Sequence, residues 1–364
     1  PSMAVDDLAV PDCIQGFYDL ILAYDHQEEN WLVCSSGFPL LDAEARAARA
    51  ARRLAQGVSL LEGEAVNRGL ELSLPAVMGD MAEPENLHTH FTRKEYCAAV
   101  QKAKDYIAAG DIFQMNMTQR FDAPLPCPPF ELYKVLRTIN PAPFASYFNY
   151  RDLIIASASP ERFLLVSGNR VETRPIKGTR PRGASPDEDL ANREELLASA
   201  KDRAELVMII DLERNDLGRV CETGSVRVPD LIRLEEYPTV FHLVSTVEGL
   251  IPQGKDTLDI LSASFPGGSI TGAPKIRAME IIEELEPVKR GIYTGSLGYI
   301  SFNGSSDLNI LIRTFVIRNN QVHFQVGGGI VADSDPEMEY EETLHKGRAL
   351  RAALTICSNR RLSL

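Results

Sequence analysis

The sequence has little of what several protein classes require. Its six cysteines are scattered over the whole length without a C-x-x-C pair, so neither a zinc site nor a disulfide framework is indicated. No apolar run reaches the roughly 18 to 20 residues that a membrane-spanning helix needs, and no signal-peptide pattern opens the chain. We therefore expect a protein of the reducing cytoplasm with no membrane association.

Positive charge is also scarce. The chain has 38 Lys and Arg residues against 51 Asp and Glu, which gives a formal net charge of -13. Binding to nucleic acid depends largely on clustered cations that release counterions, so this balance disfavours a nucleic-acid partner. With 44% apolar and 24% charged residues, the proportions are those of a globular protein, and small-molecule chemistry is the better expectation.

Short runs of Val, Ile, Phe and Tyr alternate with a few longer helical patterns, which predicts an α+β fold with antiparallel sheets. A capping box at Thr92–Glu95 predicts a helix start. Strands are expected over residues 112–121, a meander over 144–174, and three strands between Tyr293 and Val331. We also expect a long polar helix after Pro186 and a last helix near Pro336. Residues 39–91 predict a surface helix followed by a linker.

The segment RPIKGTRPRG at residues 174–183 is the most unusual stretch, with one Lys among three Arg in what reads as a loop stiffened by Pro and Gly. A free lysine is almost entirely protonated at neutral pH, but neighbouring cations would lower its pKa and make Lys177 nucleophilic. The alternative is a solvated or phosphate-binding basic loop.

Two pairs of acidic residues each lie three positions apart in a predicted helix, where they share one face. They are Asp202 with Glu205, and Glu339 with Glu342. Oxygen ligands without His or Cys suit a hard cation such as Mg²⁺. The alternative is that these carboxylates are only solvated helix surface.

Three further features are candidates for chemistry. Glu161 lies at a strand boundary, where burial would raise its pKa and suit a general acid, although a pair with Arg162 is the alternative. The glycine-rich segment at 267–275 is expected to precede a helix, and the one at 327–329 is expected to lie between a strand and a helix. Both offer backbone N–H groups to an anion. His242, on a predicted strand, is more often a core histidine than a catalyst.

Together these segments resemble the chorismate-utilising family, which includes anthranilate, isochorismate, salicylate and aminodeoxychorismate synthases. The resemblance runs from about Pro11 to Ile356. The motifs that carry it are SPERF at 159–163, RPIKGTRPRG at 174–183, KDRAELVMIIDLERNDLGRV at 201–220, FPGGSITGAPKIRAMEII at 265–282, YTGSLGYISF at 293–302 and GGGIVADSDPEMEYEETLHK at 327–346.

The resemblance implies two orthogonally packed, mainly antiparallel β-sheets covered by helices, with chorismate in a cleft between them. It implies that Glu205 and Glu342 bind Mg²⁺, supported by Asp202 and Glu339. Glu161 matches the family's general acid. The other residues that it assigns to the site are His242 beside the reacting ring and, as groups that position the substrate, Gln114, Thr179, Ser269, Tyr293, Arg313, Lys346 and the N–H groups of Gly327 and Gly329.

Within the family, the chain is similar to the aminodeoxychorismate synthases, because it has PIKGT where the others have PIAGT. The resemblance therefore implies that Lys177 attacks C2 of chorismate as a covalent nucleophile and that ammonia then enters at C4. Isochorismate and salicylate synthases place a Lys base where this chain has Gln114, so addition of water at C2 is disfavoured. Ammonia would come from glutamine through a separate amidotransferase subunit.

The chain departs from the family at its start. Relatives carry a longer N-terminal segment, so we expect residues 1–91 to be a remnant of that region plus a linker, and residues 92–364 to be the catalytic domain. In relatives this segment completes an effector pocket with residues like Pro143, Phe144 and Ala145. The alternative functions are an anthranilate synthase component I and a catalytically silent subunit that binds chorismate or senses an amino acid.

Overall fold

The computed structural model describes residues 3–63, 84, 86–237 and 240–361. Contacts between residues divide the chain into two compact units, Pro11–Leu74 and a larger unit formed by Pro1–Val10 with Pro75–Leu364. The division predicted after residue 91 stays a prediction. None of the helices in the described residues is long and apolar enough to cross a membrane.

The small unit is a β-hairpin with one helix. Strands β1 (Leu20–Asp25) and β2 (Asn30–Ser35) are antiparallel and precede α1 (Ala43–Glu62). A Cβ on Gly57 of α1 would lie 2.6 Å from the Val33 side chain, so this glycine lets the helix approach the hairpin closely. The helix predicted within residues 39–91 is confirmed, whereas the linker predicted after it lies outside the described residues.

The large unit contains strands and helices in alternation. Its strands are β3 (His88–Thr89), β4 (Gln114–Pro124), β5 (Phe144–Tyr150), β6 (Leu153–Ser159), β7 (Arg162–Ser167), β8 (Arg170–Arg174), β9 (Ile176–Pro181), β10 (Arg227–Glu236), β11 (Val240–Leu250), β12 (Gly272–Ala273), β13 (Gly298–Ile300), β14 (Ser306–Asn309), β15 (Thr314–Arg318) and β16 (Gln321–Ile330). Its helices are α2 (Arg93–Ala108), α3 (Pro129–Ile139), α4 (Pro186–Ala198), α5 (Ala200–Gly218), α6 (Thr257–Ser264), α7 (Lys275–Leu285), α8 (Pro336–Lys346) and α9 (Arg348–Arg361).

The strands form two seven-stranded sheets in which all strand pairs are antiparallel. Sheet I has the order β10-β11-β8-β7-β14-β13, with β9 also on β11. Sheet II has the order β12-β4-β16-β15-β6-β5, with β3 also on β4. The predicted α+β class with antiparallel sheets is confirmed.

Helices cover both sheets with apolar side chains. In sheet I, Leu206 and Ile210 of α5 pack in one buried cluster with Phe241 and Leu243 of β11. Sheet II has a second cluster, in which side chains of α2 and α7 meet Met115 and Met117 of β4. The helix start predicted at Thr92 is confirmed, because both hydrogen bonds of its capping box with Glu95 are present.

Three expectations about the order of elements were wrong. The polar helix after Pro186 is two helices, because Ser199 ends α4 and its side chain caps α5. Residues 293–331 contain four strands rather than three, since the positive φ of Arg313 (51°) breaks the run between β14 and β15. The meander predicted over 144–174 is divided between the sheets, because β6 pairs with β15 and β7 pairs with β14.

Candidate active site

The chain passes from one sheet to the other at two neighbouring places, which we call crossings. Residues 159–162 lead from β6 of sheet II to β7 of sheet I, and residues 310–313 lead from β14 back to β15. The two crossings are hydrogen-bonded, since the N–H of Ile310 donates to the carbonyl of Glu161 at 3.0 Å. Glu161 and Arg313 are therefore fixed where the two sheets meet.

Glu161 is 5% exposed, and its Oε1 has no hydrogen-bond partner among the described residues. Burial raises the pKa of its carboxyl group to about 7, although the Ser269 hydroxyl and the Lys177 ammonium act in the opposite direction. The alternative partner, Arg162, instead donates to Asp307 at 3.0 Å. A buried carboxyl group that keeps its proton near neutral pH has the property that a general acid needs.

Lys177 lies on a strand, so the expectation that residues 174–183 form a loop was wrong. Strands β8 and β9 both pair with β11 and are separated only by Pro175, whose missing N–H interrupts the ladder. Burial lowers the pKa of Lys177, and this effect outweighs the Glu205 carboxylate, which raises it. The Lys346 ammonium lowers the pKa further. A lysine in such a site is a better nucleophile than a solvated one.

The arginines around Lys177 do not supply this effect, contrary to the sequence-based expectation. Each of the three forms an ion pair with a carboxylate, and the pairs are Arg174 with Glu235, Arg180 with Glu195, and Arg182 with Asp189. Their charges are thereby largely compensated. Because the three arginines are paired with carboxylates, the segment is also not the solvated basic loop that was the alternative.

Strand β9 has a bulge directly after Lys177, at the point where it pairs with His242 and Leu243 of β11. Thr179 pairs with His242 and Lys177 pairs with Leu243, so Gly178 is the extra residue of β9. Gly178 has a φ of 81°, and a Cβ there would lie 3.0 Å from Asp202. The Thr179 hydroxyl lies 2.8 Å from Nδ1 of His242. Burial, together with the Arg313 guanidinium, lowers the pKa of His242 to about 4, so the ring is neutral at pH 7.

Three of the four predicted metal ligands interact electrostatically, because Glu342 acts on the carboxyl groups of both Glu205 and Glu339. Burial raises the pKa of Glu205 and of Glu339. Partial burial also acts to raise the pKa of Glu342, but the Lys346 ammonium, 2.6 Å from its Oε1, outweighs it and the net shift is downward. A Cβ on Gly328 would lie 3.0 Å from Glu342 and 3.1 Å from Glu339, so the glycine admits both carboxylates against β16.

Asp202, the fourth predicted ligand, has a different partner. Its Oδ2 lies 3.2 Å from Nη2 of Arg180, and its N–H is capped by the Ser199 hydroxyl at 3.2 Å. The helices predicted around the acidic pairs are confirmed as α5 and α8. The structure therefore brings Glu339 and Glu342 together and directs Asp202 toward the arginine of β9.

Two polar side chains of the predicted substrate site are buried with unused hydrogen-bonding capacity. Gln114 is 1% exposed and Ser269 is 5% exposed. The Oε1 of Gln114 has no hydrogen-bond partner among the residues that the structure describes, and the hydroxyl of Ser269 forms no hydrogen bond of good geometry there, although it is near enough to Glu161 to lower the pKa of that carboxyl group. Because buried polar atoms are nearly always paired, such atoms mark groups that are available to a ligand.

Arg313 and Tyr293 occupy strained or buried positions. Arg313 has a φ of 51°, and its Nη1 donates to Oδ1 of Asn140 at 3.3 Å. Burial lowers the pKa of Arg313 and raises that of Tyr293. Backbone strain of this kind is often found at ligand sites. The substrate contacts of both residues stay predictions.

The glycines at 327–329 lie within β16, so the expectation that they lie between a strand and a helix was wrong. A Cβ on Gly327 would lie 2.2 Å from the Met117 carbonyl, and one on Gly329 would lie 2.5 Å from Nε2 of Gln114. Lys346 donates to the carbonyl of Gly327 at 2.9 Å. Since the N–H and carbonyl of one strand residue point to the same side, the N–H of Gly327 also lies on the edge of β16 away from β4.

The predicted effector residues surround the start of β5, which lies at the end of sheet II. Pro143 is exposed, and Phe144 and Ala145 are partly buried. The guanidinium of Arg162 lies over the Phe144 ring, 5.2 Å from its centroid. Because Arg162 follows Glu161 in the chain, this contact places Phe144 near the crossing that contains the candidate acid. Effector binding itself stays a prediction.

Sequence reasoning missed three residues that shape the site. Asn116 donates to the Ser269 carbonyl at 2.7 Å and so positions that turn. The Ser334 hydroxyl donates to Glu339 at 2.6 Å. Gly328 admits the two carboxylates of α8. Of these, only Gly328 had a signal in the sequence, because the middle member of a glycine triplet in a strand indicates a close approach.

The chain is similar in sequence to known proteins over most of its length. The family described as chorismate binding enzyme matches residues 2–352. Anthranilate synthase component 1 of Thermus thermophilus is 45% identical over 97% of this chain and 73% of its own length. Aminodeoxychorismate synthase component 1 of Bacillus subtilis is 43% identical over 97% of this chain and 73% of its own length.

A solved structure has the same fold. Anthranilate synthase component I from Streptococcus pneumoniae superposes with a TM-score of 0.78 at 35% identity, covering 92% of this chain and 72% of that one. The fold is therefore that of anthranilate synthase component I. The extent of the family match, together with these relatives, shows that the chain belongs to the chorismate-binding enzymes.

Proposed function

We propose that this chain is the synthase component of an aminodeoxychorismate synthase, which forms 4-amino-4-deoxychorismate from chorismate and ammonia for 4-aminobenzoate and folate biosynthesis. The observation that carries the proposal is Lys177, an amine whose pKa is lowered by burial and which interacts electrostatically with Glu161. The similarity to the aminodeoxychorismate synthase component 1 of Bacillus subtilis supports it.

The proposed reaction consists of two displacements. The neutral amine of Lys177 forms a bond to C2 of chorismate, both ring double bonds shift toward C4, and the C4–O bond breaks. Glu161 gives its proton to the departing hydroxyl, which leaves as water, and the attacking nitrogen loses a proton. Ammonia then forms a bond to C4 and loses a proton, both double bonds shift back, and the C2–N bond breaks as the nitrogen of Lys177 takes up a proton. The net change is chorismate and ammonia to the 4-amino product and water.

Several groups in the cleft would orient the substrate. The hydroxyl of Ser269 and the amide oxygen of Gln114 have unused hydrogen-bonding capacity, and Arg313 offers a buried positive charge. His242 is neutral and held by Thr179, so its ring can pack against or hydrogen-bond to the substrate without adding charge. A fixed orientation of this kind lowers the entropy cost of each displacement.

The chemistry of the four predicted carboxylate ligands fits a magnesium ion. The donor set contains only oxygen, which suits a hard cation, and Mg²⁺ commonly takes one or two direct carboxylates while keeping waters. Glu205 and Glu342 would hold the ion directly, with Glu339 and Asp202 supporting it. Bound there, Mg²⁺ would supply the positive charge that anchors a carboxylate of chorismate.

We expect activity to require Mg²⁺ and Glu342→Gln to raise the Mg²⁺ concentration for half-maximal activity about tenfold or more, because a direct ligand loses its charge. Titration of activity with Mg²⁺ measures this. Glu341→Gln is the matched control, since that carboxylate lies on the same helix but pairs with Arg93 at 2.9 Å. Undiminished turnover in excess chelator would contradict the proposal.

The nitrogen source would be ammonia released from glutamine by a partner amidotransferase subunit. The relatives named component 1 support such a partner, because that name implies a second component. Addition of ammonium salts should replace the partner, since the cleft of this chain contains the proposed reacting groups.

Anthranilate formation is a second candidate, because relatives of equal similarity carry the name anthranilate synthase component 1. The two reactions differ in the carbon that receives nitrogen. We expect incubation with chorismate, Mg²⁺ and ammonium to give the 4-amino product, identified by chromatography and mass spectrometry against standards. Anthranilate as the main product would overturn the proposal, and the absence of any product would favour a catalytically silent subunit.

A further inference from the structure

A row of polar side chains lies on one face of sheet II, far from the candidate active site. In the strand register, Asp122 of β4 lies opposite His88 of β3 and also opposite His323 of β16. The N–H of His90 donates to the Arg120 carbonyl at 3.1 Å, which continues the same pairing. Directly opposed residues, and residues two apart on a strand, share a face. All five side chains therefore lie on one face.

Three of these side chains converge. His88, His90 and Asp122 each offer one ligand atom, and these atoms all lie within 4.8 Å of one another. Two imidazoles and one carboxylate are the ligand types of many zinc sites, which use three protein ligands and a water. A tetrahedral Zn²⁺ needs about 3.3 Å between ligands, given bonds of about 2.0 Å. His88 is exposed, so its ring can make the remaining movement.

The carboxylate of Asp122 is held in place by its neighbours. Nδ1 of His323 lies 2.8 Å from Oδ1, and Nε of Arg120 donates to the same oxygen at 3.0 Å. Nη2 of Arg120 also lies 3.3 Å from Oδ2 of Asp122 and 3.0 Å from Nε2 of His90. A cation can bind Oδ2 once His90, now 2.6 Å from it, turns its Nε2 to the ion and Nη2 of Arg120 turns fully to Asp7. Support of a ligand carboxylate by outer hydrogen bonds is usual at metal sites.

The positive charge of Arg120 is compensated from the other side. Its Nη1 donates to Oδ1 of Asp7 at 2.8 Å, and its Nη2 donates to Oδ2 of the same carboxylate. A bidentate pair of this kind neutralises much of the guanidinium charge. A cation at His88, His90 and Asp122 therefore faces two carboxylates and one guanidinium rather than an isolated arginine.

We propose that His88, His90 and Asp122 form a binding site for Zn²⁺ or a similar divalent cation, with His323 positioning the carboxylate. Mixed imidazole and carboxylate ligands favour zinc over magnesium. The site lies about 26 Å along β4 from Gln114, at about 3.3 Å per residue, so it does not take part in the proposed reaction. Its role is to fasten residues 88–90 to sheet II.

Metal binding by the whole chain tests this site. Protein stripped with a chelator and dialysed against Zn²⁺ should retain one ion per chain at these residues, as measured by elemental analysis and isothermal titration. His88→Ala should remove this ion, and His323→Ala should weaken binding about ten- to hundredfold. His26→Ala is the control, because that histidine lies in the small unit, where its ring packs edge-on against Tyr24 with 4.9 Å between the ring centroids.

Cobalt distinguishes the proposed ligands from cysteines. Co²⁺ bound at this site should show the visible spectrum of nitrogen and oxygen ligation, without the charge-transfer band of a thiolate. Thiolate bands would assign the ion to cysteine side chains and overturn the proposal. Failure of the dialysed wild-type protein to hold zinc, or equal zinc content in wild type and His88→Ala, would also overturn it. The zinc content of the wild-type protein can overturn the proposal without any variant, so the test does not depend on whether a variant folds.

Discussion

Replacement of Lys177 by alanine is expected to abolish formation of the 4-amino product, with turnover falling about 10³-fold or more, as for loss of other covalent nucleophiles. Lys177 is the primary amine of β9, it interacts electrostatically with Glu161 and Glu205, and burial lowers its pKa. The fold should survive the change, because β9 is held on β11 by backbone hydrogen bonds rather than by this side chain.

A covalent adduct provides a direct test of the same role. Intact-mass spectrometry of wild-type protein with chorismate and Mg²⁺, but without ammonia, should show an adduct, and peptide mapping should place it on Lys177. Lys134→Ala is the control, since that lysine lies on α3 and pairs with Glu131 at 2.7 Å. In Lys177→Ala, any residual amination should shift toward C2, because that carbon is no longer occupied by the lysine.

Two outcomes would contradict covalent catalysis. One is an adduct on another lysine near the predicted metal ligands, such as Lys201, whose Nζ lies 4.0 Å from Glu205, or Lys346, whose Nζ lies 2.6 Å from Glu342. The other is the absence of an adduct under conditions where product forms rapidly once ammonia is added. In that case ammonia attacks C4 directly, and Lys177 acts only as a positive charge near the departing hydroxyl.

Glu161→Gln is expected to lower turnover by about 10²-fold or more while chorismate binding changes little, because the amide keeps the shape of the acid but cannot give up a proton. Comparison of the turnover number with the chorismate dissociation constant separates the two effects. Glu280→Gln on the exposed face of α7 controls for the loss of one carboxylate. Normal turnover in Glu161→Gln would make the residue structural.

The pH dependence of the reaction provides an independent readout. Burial raises the pKa of Glu161 to about 7, so its protonated form persists to a higher pH than that of a solvated glutamate. A general acid must carry its proton, and the rate should therefore fall as pH rises above about 7. This falling limb should be absent from the residual activity of Glu161→Gln. Its survival in that variant would assign it to another group.

Local features of the fold could be predicted from the sequence, whereas the assignment of each strand to one of the two sheets could not. The start of the first strand of the meander at residue 144 and the capping box at Thr92 depend on neighbouring residues, and both agree with the structure. The separation of β6 from β7 depends instead on their partners β15 and β14, which are distant in the chain. A pattern of alternating residues indicates that a strand exists but not which sheet it joins.

The candidate site shows the same limit. Motifs indicated Glu161, Lys177 and the carboxylates of α5 and α8, because residue type and spacing are local. The ion pair of Arg162 with Asp307 spans 145 positions, and that of Arg174 with Glu235 spans 61, so neither could be read from the motifs. The expected effect of Arg174 on Lys177 failed for this reason, because the distant carboxylate of Glu235 compensates its charge.

The paired crossings at residues 159–162 and 310–313 also determine when the site can form during synthesis of the chain. The N–H of Ile310 reaches the Glu161 carbonyl only after the intervening residues have left the ribosome. Until then β6 and β7 lack their partners β15 and β14, and each presents an open edge. Long-range contacts of this kind slow folding. In the nascent chain, Glu161 therefore stays without its contact to Ile310 until β14 and the crossing that follows it have been synthesised.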